Sequence, residues 1–223
     1  MLKPKKSFLS RSNPKARRER SHSNGRPRRR RRPEDAELEI LEAAEAFLRE
    51  RPFHEMTIDE LMTRTGLSRP SFYEYFRDRH DLILKLVERL NRMIDDVAER
   101  WKTTKGDPRA ELRRGFAGLI DIYREHGHLL RALAAAAPQD REVAEAYERL
   151  LAAQSEGTAR RIRADVKSRR TKPLNIEGTA RALIVMNAQY LADSFRADRH
   201  ADTRVATEVL TAIWMRVLYG TPR

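Results

Sequence analysis

The sequence predicts an all-α protein, and three observations carry that prediction. Prolines fall between apolar-periodic segments or in their first turns, and Gly66, Gly106 and Gly127 fall between them. Within those segments apolar residues recur at steps of three and four, and no alternating β-branched run reads as a strand. The helices follow a basic arm: residues 1–33 hold 14 of the 46 Lys and Arg and one of the 33 acids, with Arg28 to Arg32 unbroken. The net charge of +13 therefore belongs to the arm, and the remaining 190 residues are balanced at 32 bases and 32 acids. Such an arm buries too little apolar surface to offset chain entropy and is expected to be disordered, whereas the body is long enough for a sizeable core.

The first helix starts behind Pro33, with Glu34, Asp35 and Glu37 at the positive end of its dipole. Its stripe of Ile40, Leu41, Ala44, Phe47 and Leu48 faces inward, and Arg51-Pro52 ends it. Thr57-Ile58-Asp59-Glu60 fits a capping box and opens a second, short helix that stops at Thr65-Gly66-Leu67. Ser68 is expected to cap a third helix, with Pro70 in its first turn, running to about Phe76. Asp78 and Asp81 open a longer fourth helix, whose Leu82, Leu86, Leu90, Ile94 and Val97 lead to Trp101.

Gly106-Asp107-Pro108 interrupts the pattern. Five more segments complete a count of nine: Arg109 to His126, an alanine-rich stretch from His128 to Ala136, Gln139 to about Arg170, Ile176 to Ala197, and Asp202 to Tyr219.

Two short helices joined by a glycine-containing turn, behind a longer amphipathic helix, have the layout of a helix-turn-helix. Phe47, Leu61, Leu67, Phe72 and Phe76 would share a small core, leaving the outer face of the third helix for a major groove. The residues on that face suit the task. Arg69 can pair bidentately with guanine, Ser71 can donate or accept, and the hydroxyls of Tyr73 and Tyr75 can reach phosphate.

Thr57-Ile58-Asp59-Glu60-Leu61, Gly66-Leu67-Ser68-Arg69-Pro70-Ser71-Phe72-Tyr73-Glu74-Tyr75-Phe76 and Asp81-Leu82 together resemble the DNA-binding signature of TetR-family transcriptional regulators. The body is more particularly similar to the ethionamide-resistance repressor (EthR) subgroup. The similarity lies in the ending, from Leu183-Ile184-Val185-Met186-Asn187 through Ile213-Trp214 to Leu218-Tyr219-Gly220. The resemblance implies a nine-helix architecture, with a helix-turn-helix domain at 34–83 and a helical ligand-binding and dimerisation domain at 84–223. It places base contacts on Arg69, Pro70, Ser71 and Tyr73, and phosphate contacts on Thr57, Tyr73, Tyr75 and Arg79. Tyr75 stands where many members have histidine, and Arg79 replaces the commoner lysine.

In the second half Leu112, Phe116, Leu119 and Tyr123 form one stripe, Tyr147, Leu151, Gln154 and Thr158 a second, and Ile184, Asn187 and Tyr190 a third. Read alone, such stripes are core. The resemblance implies that they converge on a largely apolar tunnel for a lipophilic small molecule, with Asn187 as its hydrogen-bonding group.

The last two helices carry more apolar residues than one buried face needs: Leu183, Met186, Leu191 and Phe195, then Val205, Val209, Leu210, Ile213, Trp214, Val217 and Leu218. The surplus points to a homodimer through a four-helix bundle, whose two reading heads would fit successive major grooves of a palindromic double-stranded operator. The expected function is a ligand-responsive regulator, in the family's usual mode a repressor released from DNA by its effector.

Other classes find little footing. The absence of cysteine excludes disulfides, thiolate metal sites and cysteine nucleophiles. No Gly-x-Ser-x-Gly, Walker loop, Gly-x-Gly-x-x-Gly or His-Glu-x-x-His occurs, so neither catalysis nor a cofactor is expected. His126 and His128, two residues apart, should lie on different helix faces, and Asp95-Asp96 reads as a solvated helix face. No signal peptide or membrane span is indicated, which makes the cytoplasm the expected address. The rival that remains is a non-specific nucleic-acid-binding or scaffold protein acting through the arm alone.

Overall fold

Six helices start behind a Thr, Asp or Asn whose side chain accepts hydrogen bonds from the first turn's orphan N–H groups, so local chemistry sets most boundaries. The computed structural model describes residues 33–104, 106–172, 175–196 and 201–220. The arm expected at 1–33 lies, up to residue 32, outside them. The described residues hold eight α-helices and no strand. The first four are α1 Pro33–Glu50, α2 Ile58–Thr65, α3 Arg69–Tyr73 and α4 Arg79–Thr103, with a 3₁₀ turn at Phe53–Glu55. The others are α5 Pro108–Ala136, α6 Arg141–Lys167, α7 Ile176–Ser194 and α8 Thr203–Tyr219. None of the described helices is long and apolar enough to cross a membrane.

Eight rather than nine helices form because the segments expected at 109–126 and 128–136 are one. Gly127 costs about 1 kcal/mol relative to Ala inside a helix. That cost is small beside the burial of Tyr123, Leu129, Leu130 and Leu133 in the turns on either side of it. Smaller corrections concern ends and caps. α3 stops at Tyr73, although Tyr75 N–H and Phe76 N–H still bond to Phe72 O at 3.0 Å. α6 is trimmed at both ends to Arg141–Lys167, and α7 ends at Ser194, with residue 197 outside the described residues. Ser68 does not cap α3 with its side chain; its hydroxyl pairs with that of Ser71 at 2.9 Å. The capping box at α2 is half-formed. Thr57 Oγ1 accepts from Glu60 N–H at 3.3 Å, while the Glu60 carboxylate turns to Arg51 at 2.5 Å.

Ile40, Phe47, Met56, Leu61, Phe72, Phe76, Leu82, Ile83 and Leu86 are fully buried and lock α1, α2, α3 and the first turns of α4 together. Each contributes about 1.5–3 kcal/mol of transfer free energy. Gly66 closes α2 in the left-handed conformation, φ +66°, which strains any other L residue and lets the chain turn toward α3.

Polar anchors join this unit to the rest. Glu45 of α1 accepts from His126 of α5, and Oε1 of the same carboxylate lies 3.4 Å from His128 Nε2. The two histidines therefore converge on one carboxylate instead of parting to separate faces. No group of three or more His, Asp or Glu among the described residues is arranged to hold a metal. His80 at the start of α4 meets Asp140, the cap of α6, at 2.9 Å. At the other end of α4, buried Arg161 bonds Asp165 at 2.8 Å and donates to the carbonyls of Trp101 and Thr104. Tyr219 Oη completes that knot with a 2.6 Å bond to Asp165, and burial, then the Asp165 carboxylate, push its phenol up to about 12.

Candidate DNA-reading face and effector cavity

α3 is too short to persist alone, so its orientation is set by Phe72 and Phe76, whose rings lie 5.3 Å apart in the core. With those side chains turned inward, Arg69, Pro70 and Tyr73 are turned outward and exposed, Tyr73 to 50%. Ser71 is half-buried beside them. Thr57 is exposed at the start of α2, its oxygen accepting the capping bond and its O–H left to donate elsewhere.

Arg69 is not idle on this face. Its Nη1 donates to both carboxylate oxygens of Asp59, at 3.0 and 2.9 Å, and Nη2 lies 3.4 Å from Tyr73 Oη. The Tyr73 hydroxyl and then the Asp59 carboxylate hold the guanidinium even more firmly protonated than usual. Both side chains are more than half exposed, so water screens the ion pair and a base edge or phosphate can replace Asp59 at little cost. Tyr75 and Arg79 are half-buried. The Arg79 guanidinium carbon stacks 4.9 Å from the Phe53 ring centre, and Nη1 approaches the carbonyls of His54 and Met56 at 3.4 Å. Arg79 is thus braced from behind with charge still partly exposed.

In the second half the three predicted stripes do meet. Two neighbouring cavities of about 60 and 40 Å³ share Ile94, Leu119, Gln154, Ile184 and Asn187. Leu112, Phe116 and Thr158 line the first; Tyr123, Tyr147 and Leu151 line the second. Of the residues assigned to a tunnel, Tyr190 lines neither cavity and is half-buried against the core. Asn187 is already engaged, because its Oδ1 accepts from Trp214 Nε1 at 3.1 Å. Burial pushes the Tyr123 and Tyr147 phenols upward, which keeps both as neutral donors at physiological pH.

The stripes omitted one wall. Ile94, Val97, Ala98, Trp101 and Lys102 of α4 and Trp214 of α8 line the larger cavity. The signal was present, since the apolar stripe of α4 runs on past Leu90 to Trp101, beyond what the packing of α1, α2 and α3 requires. A larger open cleft of about 690 Å³, lined by Arg49, Arg124, Arg131 and other polar groups, shares only Tyr123 with the predicted lining. Its charged walls do not suit a lipophile.

Comparison with known proteins agrees with this geometry. Residues 40–86 match the family of bacterial regulatory proteins named for tetR, and residues 112–220 match the C-terminal domain of transcriptional regulator EthR. The HTH-type transcriptional regulator EthR of Mycobacterium tuberculosis is 31% identical over 196 residues, which span 85% of this chain and 90% of that protein. The EthR of Mycolicibacterium smegmatis is 29% identical over 194 residues, 84% of this chain and 88% of its own. In fold, the transcriptional regulator FadR from Bacillus subtilis, solved in complex with stearoyl-CoA, superposes with a TM-score of 0.68 at 15% identity, over 83% of this chain and 99% of that one. The chain belongs to the TetR family of DNA-binding bacterial transcriptional regulators, with a C-terminal domain of the EthR kind.

Proposed function

We propose that the protein is a homodimeric repressor that holds a palindromic operator and releases it when a lipophilic small molecule enters the second half of the chain. Residues 34–83 form its DNA-binding domain and 84–223 its effector and dimerisation domain. Arg69, Pro70, Ser71 and Tyr73 read base edges from the major groove; Thr57, Tyr73, Tyr75 and Arg79 hold phosphates. The observation that carries this reading is the division of α3 into an inward Phe72 and an outward Arg69, Pro70 and Tyr73 that remain exposed among the described residues. The arm follows the backbone electrostatically, and the protein works in the cytoplasm.

Dimerisation uses α7 and α8. Leu183, Leu191, Leu210, Trp214 and Leu218 are consumed by the chain's own core, which leaves Val185, Val205, Val209 and Val217 exposed. Spacing of i, i+4 and i+12 puts the last three on one outward stripe of α8, with Ile213 between them at i+8. A second copy covering that stripe at about 1,200–2,000 Å² would make a stable pair.

Release follows from volume. The two cavities, about 60 and 40 Å³, are far below the roughly 300–1,000 Å³ of an occupied small-molecule site, so a ligand has to push walls apart. One wall is α4, whose other end is packed under α1, α2 and α3 and tied to α6 through His80 and Asp140. Displacing α4 therefore moves the reading heads, and near-complete switching requires about 10⁴-fold preference of the ligand for the displaced form.

The test is to select genomic DNA fragments that the full chain binds, then to screen lipophilic compounds for their release. A site preferred over random duplex by about 10³-fold or more at fixed salt, and freed by such a compound, bears out the reading. Equal affinity for all duplexes would leave only the basic arm at work.

A further inference from the structure

The cavity beside Trp101 has one charged group in its lining, Lys102. Its side chain is only 12% exposed, and Nζ donates to Asp95 Oδ1 at 2.5 Å, whereas the Asp95 side chain is 46% exposed. Asp95 and Lys102, seven residues apart, share one face of α4. Opposite them, Gln154 of α6 donates to Asn91 at 2.8 Å and to Asp95 at 3.3 Å. One turn further along α6, Gly157 leaves room for the ammonium: a Cβ there would lie 3.1 Å from Lys102 Nζ and 3.2 Å from Cε. A long cationic chain is thus drawn inward over a bare stretch of helix, while its counterion stays half in water.

That asymmetry has a chemical consequence. A cation withdrawn from solvent loses hydration, and a partner half in water offsets the loss incompletely. An anion arriving from the apolar side meets the ammonium with little competing water and a lower local dielectric. The other polar groups of the lining are neutral: the Asn187 oxygen is taken by Trp214, the Gln154 amide by Asn91 and Asp95, and Thr158 and the Asn187 amide nitrogen carry no charge.

We propose that Lys102 selects the effector's head group, so that the preferred ligand is a lipophilic carboxylate. Its alkyl or aryl body fills the enlarged cavity, and its carboxylate displaces Asp95 from the ammonium. Asp95 then turns to the solvent it already half faces, and the Asp95–Gln154 link between α4 and α6 is lost in the same event. This inference rests on the effector reading above and adds the ligand's charge to it.

The chain's two tryptophans, Trp101 and Trp214, both line this cavity with ring centres 5.3 Å apart, so intrinsic fluorescence reports its occupancy. The full-length protein is titrated at neutral pH with decanoate and with 1-decanol, each below its aggregation limit. The wild type should bind decanoate about tenfold or more tighter than decanol, an increment of about 1.4 kcal/mol. Lys102→Met should abolish that preference, weakening decanoate about tenfold or more relative to decanol. Asp95→Asn, which removes the internal competitor, should tighten decanoate severalfold without affecting decanol. This second variant decides the matter if Lys102→Met does not fold.

Equal affinity of the wild type for the two ligands overturns the head-group assignment and leaves the effector cavity standing. So does a decanoate preference that survives Lys102→Met, or one that Asp95→Asn does not increase. Binding of neither ligand overturns both.

Discussion

At the scale of single residues, the side chains that meet DNA in this account are held by weak ties. Arg69 is oriented by Asp59 and Tyr73 without being buried, so under the proposed function it would reach the groove pre-positioned and exchange an exposed ion pair for a base. Arg69→Ala should therefore leave thermal stability nearly unchanged. It should cost about 1–3 kcal/mol of affinity for the selected operator, measured against random duplex at the same salt. His128 makes the opposite kind of prediction. Burial, reinforced by the Arg49 charge, lowers its pKa below the ordinary 6.5 despite the nearby Glu45. The unfolded chain thus takes up this proton first as pH falls. The resulting stability is fully present above about pH 6.5 and is lost as pH drops from there toward the folded value. His128→Asn should flatten the decline in unfolding temperature between about pH 7.5 and 5.5 relative to the wild type.

At the scale of elements, α3 shows how a five-residue helix is made to hold a fixed direction. Its own hydrogen bonds cannot sustain it, and the inward aromatic ring of Phe72 supplies the missing free energy. Phe72→Ala should lower unfolding free energy by about 3–5 kcal/mol in denaturant titrations, and DNA binding should be lost with α3. This part of the molecule was readable in sequence because its determinants are local. A Thr cap, a glycine that must adopt positive φ, and two phenylalanines four apart all act within twenty residues. What was misread depended on distant partners. The continuity of α5 across Gly127 is decided by packing on its neighbours, and the Glu60 carboxylate chose Arg51 over its own helix start. Asp95, read with Asp96 as a solvated face, lies half-buried and paired with Lys102, because α6 brings Gln154 against it and Gly157 against Lys102. No periodicity within α4 could announce that. Of the three stripes only Tyr190 lines neither cavity, and the α4 wall of Ile94, Val97 and Trp101 shows in sequence only as the far end of an apolar stripe.

At the scale of the whole molecule, α4 belongs to both halves. Its first turns lie under the reading unit, and its last turns wall the cavity and end at the buried Arg161–Asp165 pair. A helix so placed cannot be displaced at one end without moving the other. Under the proposed mechanism, the tight, nearly filled cavity is that of the form that grips DNA. In the proposed dimer, two such units paired through the valine stripe of α8 would present their α3 faces in opposite directions along one duplex. The most direct measurement of this arrangement is methylation interference at guanine N7 on the selected operator, since N7 lies in the major groove. The account predicts two symmetric patches of interference about 10–10.5 base pairs apart, both weakened in Arg69→Ala. A single patch, or a pattern indifferent to Arg69, would contradict it.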